Sequence, residues 1–530
     1  MLAVVACATL LVAWQSLVVQ PAAVRVNGVA SSAVIVRLRE NDLLTIFPAI
    51  RGARVRYLVE FAVDGGVAFW ETGEGGAAIS AVRSDSAPAS RVVGGRRRVQ
   101  TTFVATDSFS RLVVRARSSD VTISDLHVRI LRRTPLQPWD DTRTVIALGL
   151  LAIGTIGVWR FQSNKEASQR VIVITAVSIL AVSTPIFGAV VLALLACLFR
   201  LGRLMQRPRA RRSVLLWAAV AAIVVVVGGW KYSQPLFGFL FLTSLGTLAA
   251  PFGASFFLLR LVDAQFRWYR GEEADVSFRE YITYAIFPAT LIAGPMETLR
   301  GFRAKRSERI TQSDVAAGAG RMVIGLAKKL IIGDFFLYRL LYGGRFALYD
   351  RAVLVGGGKA TVEMLCAAFL FAAIDISAYA DMAIGLARMH GYGIREDSNW
   401  PILASSLRDF WRRWHVSVAE WCMANVYVPI LIGTRSVSLA LFLTMLAMGV
   451  WHQLTWSWML WAAHFTLGLL VANWMSRTIR VENAHLRVLG GVATRVLVLC
   501  FVISAHAFMQ SDDVGVALKL YSDFWLAPWR

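Results

Sequence analysis

An all-α polytopic membrane protein with an extracytoplasmic antiparallel β-sandwich at its N-terminus is the architecture this sequence predicts. Three observations carry it. Hydrophobic residues make up 56% of the 530 and charged residues only 17%, with a mean hydropathy of +0.56. A soluble domain carries about 25% charged residues, so there is too little polar surface here for several globules, and too much apolar mass for disorder. Beyond Thr142 the chain reads as a series of apolar segments, each approaching the roughly 20 residues that a bilayer requires. Before that point, residues 25–133 alternate apolar and polar with period two, the signature of half-buried strands.

Residues 1–23 carry no charge and read as a signal peptide ending near Pro21-Ala22-Ala23, or as an uncleaved anchor. Either exports the adjoining domain, although the positive start of a signal peptide is missing. Residues 24–134 form the predicted sandwich, in runs such as Arg54-Val55-Arg56-Tyr57-Leu58-Val59-Glu60-Phe61, with Gly65-Gly66, Gly75-Gly76 and Gly94-Gly95 between them. A short linker, 135–142, leads to a membrane domain over 143–530. Its apolar segments are 143–159, 171–199, 213–230, 236–261, 281–296, 315–342, 361–389, 436–451, 454–474 and 488–509. With short and re-entrant pieces they give about ten to twelve membrane helices.

Net charge is +22. The basic residues lie between apolar runs without a nucleic-acid motif, so they read as cytoplasmic loops, and no nucleic acid is expected as a partner. The stretch 200–212 holds six arginines and no acid and is expected on the cytoplasmic side. With the β-domain outside, that requires 171–199 to be a hairpin turning at Thr184-Pro185, with arms of about 14 residues or roughly 21 Å. The five cysteines show no metal or disulfide spacing and read as packing residues. No metal site is expected.

Ionisable groups inside a membrane segment are functional candidates. Asp375 and Asp381 lie six residues apart in an apolar helix, about 240° apart around its axis, so they do not share a face. A structural role is the more ordinary one for them. The run Asp409-Phe410-Trp411-Arg412-Arg413-Trp414-His415 is aromatic and basic at once and reads as an interfacial, non-spanning helix with its tryptophans at headgroup depth. Trp451-His452-Gln453 joins two apolar spans, where a histidine is either a satisfied core residue or a proton-transfer group. No nucleophile elbow, HExxH motif or P-loop is present.

Taken together these residues resemble the membrane-bound O-acyltransferase family, in its bacterial branch that O-acetylates polysaccharide or D-alanylates teichoic acid. Tyr269-Arg270-Gly271 is similar to its YRG, Phe287 through Met296 to FPxLIAGPI, and Gly325-Leu326-Ala327-Lys328-Lys329 to GLxKK. Asp375–Gly385 (DISAYADMAIG) resembles DFSGYSDMAIG, Asp409–Ser417 (DFWRRWHVS) resembles DFWRRWHIS, 426–430 resembles YVYIPL and 450–452 the LWH of GLWHG. The likeness covers roughly residues 200–510. Departures are Gln453 where Gly is usual, Ala378 and Ala380 in place of Gly and Ser, and about one extra helical turn between Asp263 and Tyr269.

The resemblance implies His452 as the catalytic histidine and His415 as its companion, with Asp375, Asp381, Asn399, Arg412, Arg413, Trp414, Trp451 and Gln453 in binding or structural support. It implies transfer of an acyl group, acetyl first, from a cytosolic thioester such as acyl-CoA to a hydroxyl of an extracytoplasmic glycan or of a lipid or partner intermediate. No bound cofactor is expected. The implied setting is the bacterial inner membrane, with an extracytoplasmic partner acyltransferase. Imidazole, with a pKa near 6.5, suits the base. His415, an arginine or backbone N–H groups remain open as oxyanion donors. The competing reading is a non-catalytic or transporter-like subunit of a polysaccharide export complex, in which Asp375 and Asp381 couple ions. The inverted repeat that would favour a transporter is not found.

Overall fold

The computed structural model describes the strand residues between 23 and 135 and, beyond them, residues 142–183, 185–208, 210–229, 254–273, 275–291, 293–307, 309–342, 348–478 and 484–526. The expected export segment, the three glycine pairs, the middle of the linker 135–142, Thr184 and most of segment 236–261 lie outside these residues.

Among the described residues, the N-terminal part holds eleven strands: β1 (Ala23–Val26), β2 (Val29–Ala30), β3 (Ile35–Leu38), β4 (Leu43–Phe47), β5 (Ala53–Asp64), β6 (Val67–Thr72), β7 (Ala78–Arg83), β8 (Ala89–Val93), β9 (Arg96–Ala105), β10 (Arg111–Ala116) and β11 (Val121–Pro135). They pair in two antiparallel sheets, ordered β2-β1-β4-β10-β6-β7 and β3-β11-β5-β9-β8. β5, the central strand of the second sheet, carries Val63, which is buried.

From Thr142 the described residues are mostly helical. The expected hairpin turns where it was placed, between Lys165–Ser183 and Pro185–Met205, but its arms are longer than about 14 residues. They have 19 and 21 residues, or about 28 and 31 Å. Each continues past its apolar stretch into a segment that carries charge, Lys165, Glu166 and Arg170 in one and Arg200 and Arg203 in the other, so neither arm is short enough to require re-entry. Segment 281–296, expected as a span, is instead broken into the helices Phe278–Ala285 and Pro288–Leu291 and a non-helical stretch after them. Pro288 removes a backbone donor, and Gly294 at φ 137° adopts a conformation closed to other residues.

The interfacial, non-spanning helix expected at Asp409–His415 also differs. Only Leu407–Trp411 is a short helix; Val416–Thr434 is 19 residues long and apolar enough to cross a membrane. Gly188–Met205, Gly358–Met389 and Gly491–Gln510 meet the same standard among the described residues. The charges of the DFWRRWH motif sit before the helix rather than inside it. Its aromatics turn inward: Phe410 is buried, Trp414 stacks on Phe410 and Phe369, and Trp411 packs edge-on against Trp461 and Phe465. They are packing residues of the helical core, not an interfacial anchor.

Helices Gln312–Ala327 and Gly358–Met389 cross at backbone contact. A Cβ on Gly318 would stand 2.6 Å from the carbonyl oxygen of Gly385, and one on Gly385 2.5 Å from that of Gly318. Small residues give membrane helices this close approach. Past the crossing, Lys328–Tyr338 winds as a π-helix, which brings Lys329 and Asp334, five residues apart, within 2.8 Å.

Candidate active site

His452 is the last residue of helix Val437–His452. Gln453 leaves the helix in an extended conformation while its N–H still bonds the carbonyl of Gly449 at 3.0 Å. The half-buried imidazole of His452 lies flat on Trp458, with centroids 4.5 Å apart and planes at 17°, and edge-on to Trp451 at 4.6 Å. Trp451 is itself fixed, its indole N–H donating to the carbonyl of Ser255 at 2.9 Å with Phe256 edge-on at 5.4 Å. The Gln453 amide donates to Asp512 at 3.2 Å, tying the turn after His452 to the loop before helix Val514–Leu526.

His415 also packs against Trp451, with ring centroids 6.1 Å apart, and against Phe256 at 5.7 Å. The two motif histidines, 37 positions apart in sequence, thus pack against one indole. His415 holds φ 49°, a left-handed conformation rare outside glycine and asparagine, and caps helix Val416–Cys422. Such a conformation costs about 1–3 kcal/mol and persists only where its surroundings hold it. Here the holder is Asp397. Its carboxylate reaches His415 Nδ1 at 2.6 Å and accepts from the Ser417 N–H at 2.8 Å, while its carbonyl accepts from the Val416 N–H at 2.9 Å. Burial by itself would push the Asp397 carboxyl up; the charge and hydrogen bond of His415, with the bonds from Ser417, bring it below the usual carboxylate range.

The Asp397 loop is clamped on both sides. Glu396 accepts from Arg321 at 2.5 Å and Arg395 pairs with Glu420. Ser417 Oγ accepts from the N–H of Met296, which joins the LIAGPM element to the same loop. That element is held from beneath by the buried Arg260, whose guanidinium donates to the carbonyls of Tyr284, Ala285 and Thr290.

The remaining residues singled out from the sequence separate into two groups. Asp375 and Asp381 take no part in this cluster. Asp375 pairs with Lys329 at 2.8 Å; Asp381 pairs with Lys328 at 2.6 Å and Arg321 at 3.0 Å. The two lysines of the GLAKK motif are therefore the partners of the two aspartates, a structural pairing that closes the helix crossing. Arg413 pairs with Asp409 at 2.9 Å; its guanidinium donates to the carbonyl of exposed Asn399 at 3.3 Å, and the Asn399 N–H donates to the Arg413 carbonyl at 2.8 Å. Both support the Asp397 loop. Trp414 belongs to the aromatic packing around Phe410.

Arg412 is exposed and lines a groove of about 670 Å³ with Arg408 and Arg477 at its basic end. Met423, Met445 and Met448 supply much of its apolar wall. The groove passes Trp411 and Val416, the residue next to His415, and Met448 precedes His452 by one helical turn.

Asp397, Phe256, Trp458 and Trp461 were not singled out from the sequence. Trp456, Trp458 and Trp461, coming so soon after His452, were a legible hint. For Asp397 the signal was an acid in the polar loop Glu396-Asp397-Ser398-Asn399 immediately after a long apolar helix.

Comparison with known proteins places these elements. Residues 175–509 match the model of the membrane-bound O-acyltransferase family. The chain is 30% identical over 336 residues to a probable alginate O-acetylase AlgI of Azotobacter vinelandii, covering 59% of this chain and 63% of that one. It is 30% identical to the Pseudomonas aeruginosa protein of the same name, over 62% and 64% of the two chains. A peptidoglycan O-acetyltransferase of Helicobacter pylori is 27% identical over 46% of each chain. The chain thus spans less than two thirds of the length of these relatives.

Proposed function

Because this chain belongs to the membrane-bound O-acyltransferase family, we propose that it transfers an acyl group, acetyl by its likeness to the O-acetylases, from a cytosolic thioester to a hydroxyl on the far side of the membrane. His452 takes the proton of the acceptor hydroxyl. The oxygen attacks the thioester carbonyl, an O–acyl bond forms, the C–S bond breaks, and the proton passes to the departing thiolate. The observation that carries this reading is the packing of His452 and His415 against the same indole, Trp451, with His415 held by a buried carboxylate. A base needs a fixed ring in reach of water or substrate, and His452 is stacked on Trp458 yet half-buried.

The donor enters through the arginine-ended groove. A thioester carried on a phosphate-bearing arm, as in acyl-CoA, matches it: phosphates at Arg408, Arg412 and Arg477, the arm along the methionine wall, the acyl end next to the histidines. The acceptor is a glycan or an intermediate that passes the acyl group on through a partner acyltransferase outside the cytoplasm. In this reading the protein sits in the bacterial inner membrane with many passes, and the two antiparallel sheets pack as a sandwich outside the cytoplasm.

The test is transfer from labelled acyl-CoA to glycan in membranes holding wild type or His452→Ala. Loss of a positioned base typically lowers transfer about 10²–10⁴-fold. A His452→Ala protein that inserts normally and turns over at near the wild-type rate removes the proposal.

A further inference from the structure

Four helix ends meet at one level of the helical domain. Helices Lys165–Ser183 and Pro185–Met205 form a hairpin, so the start of the first lies beside the end of the second. Residues 161–164 bring in the end of helix Thr142–Arg160, and residues 206–211 the start of helix Arg212–Ile223. Arg160, Arg200, Arg203, Arg207, Arg211 and Arg212 are all exposed there. Counter-charge is scarce. Residues 142–262 carry a single acid, Glu166, which Arg170 and Arg279 occupy at 3.4 and 2.9 Å. Helix Phe278–Ala285 packs on the hairpin, but Glu273, Asp275 and Glu280 are engaged by Arg303. Among the described residues no carboxylate lies within 4.0 Å of Arg160, Arg200, Arg207, Arg211 or Arg212. Elsewhere Arg267, Arg303 and Arg321 each reach a mostly buried carboxylate, that of Asp263, Glu273 and Asp381, at 3.0, 2.6 and 3.0 Å.

These arginines rim an apolar surface. Ile153 and Ile156, in the two turns before Arg160, are exposed, and so are Val214 and Trp217 just after Arg212. In a membrane protein such a face meets acyl chains. Trp159 and Trp217 stand where it gives way to the arginines, the depth at which tryptophan meets headgroups. A soluble polyanion makes no use of the apolar rim. A phospholipid uses both parts, its chains against the isoleucines and Trp217 and its phosphate on the guanidinium groups. We propose that this end of the hairpin is a binding surface for an anionic phospholipid, with the phosphate held by Arg200, Arg203, Arg207, Arg211 and Arg212 and the chains on the adjoining apolar face. The surface shares no residue with the groove of Arg408, Arg412 and Arg477, and the inference does not depend on any step of acyl transfer.

The test places the full chain in nanodiscs of neutral lipid doped with photo-crosslinking phosphatidylglycerol or phosphatidylcholine of equal chain length. The expected result is phosphatidylglycerol on peptides covering 200–217 at several times the phosphatidylcholine yield, reduced at high salt as charges are screened and unaffected by millimolar inorganic phosphate. The variant Arg200→Gln, Arg203→Gln, Arg207→Gln, Arg212→Gln should lower that preference about fivefold or more. Lys at the same four positions keeps the charge that orients the helices and should retain most of the preference, which separates headgroup binding from misinsertion. Equal labelling of the wild-type chain by both lipids, phosphatidylglycerol labelling confined to other regions, or a preference unchanged in the Gln variant would each overturn the proposal. So would displacement of the label by inorganic phosphate, or binding of soluble polyglutamate at this surface with no lipid preference.

Discussion

Replacing Asp397 by Asn removes one charge while keeping the size of the side chain, and two distances and its burial set the consequences. The carboxylate is 2.6 Å from His415 Nδ1 and 2.8 Å from the Ser417 N–H, and the side chain is 1% exposed. An Asn at this site still accepts from Ser417 through its oxygen, which turns its NH₂ toward His415. That NH₂ donates to Nδ1, so the imidazole proton moves to Nε2, the wrong tautomer for a ring oriented by a carboxylate. The lost charge-assisted hydrogen bond is worth about 1.5–3 kcal/mol, which corresponds to about 10- to 150-fold in rate. The assay is transfer from labelled thioester to glycan at saturating donor, with membrane insertion checked in parallel. The expected signature is a fall in kcat with little change in the donor KM, since the groove arginines are untouched. Stability depends on the same carboxyl. Its folded pKa lies below the unfolded value near 3.9, so its contribution is complete above that value and is lost as pH falls through the folded pKa. The difference in unfolding temperature between wild type and Asp397→Asn should therefore be present at pH 5–6 and shrink below about pH 4. Transfer by Asp397→Asn at more than half the wild-type rate refutes the reasoning that the buried carboxylate positions His415.

Lys329 lies between Asp334 and Asp375, 2.8 Å from each, so Lys329→Met leaves two carboxylates without their cation; thermal unfolding in detergent should register a loss of about 3–5 kcal/mol. Gly385→Ala drives a methyl group into the carbonyl oxygen of Gly318, and the crossing should weaken by about 1–3 kcal/mol, whereas Gly320→Ala, with open space around it, should be nearly silent in the same measurement. In steady-state kinetics, Arg412→Ala combined with Arg477→Ala should raise the KM for a phosphate-bearing thioester several-fold and leave kcat for a short thioester without phosphates unchanged; an equal effect on both donors would detach the groove from donor binding.

Much of the helical domain is legible in the sequence because a bilayer imposes a local rule. Each spanning segment must satisfy its own backbone bonds and show apolar residues over a fixed length, so segments such as 361–389 and 488–509 appear in the structure within a few residues of their predicted bounds. The motif histidines are legible too, since DFWRRWH and a later WH are short, contiguous strings. Local rules fail where polar residues are satisfied by distant partners. Segment 281–296 looks like a span, yet Arg260, from another helix, holds the carbonyls of a broken chain there. The tryptophans of 411 and 414 look interfacial by composition, yet they are core residues, because Phe369, Trp461 and Phe465 come to meet them from other stretches of sequence. Two aspartates that share no helical face are both paired, because two glycines let helices Gln312–Ala327 and Gly358–Met389 touch and a π-helical turn aligns the adjacent lysines. Composition and periodicity by themselves determined a membrane protein with an antiparallel β region ahead of it, since both depend on residues a few positions apart. The tertiary structure alone decided that Asp397 serves His415 across 18 residues and that His415 and His452 meet the same indole. Such contacts depend on how separate helices pack, and no periodicity within either helix records them.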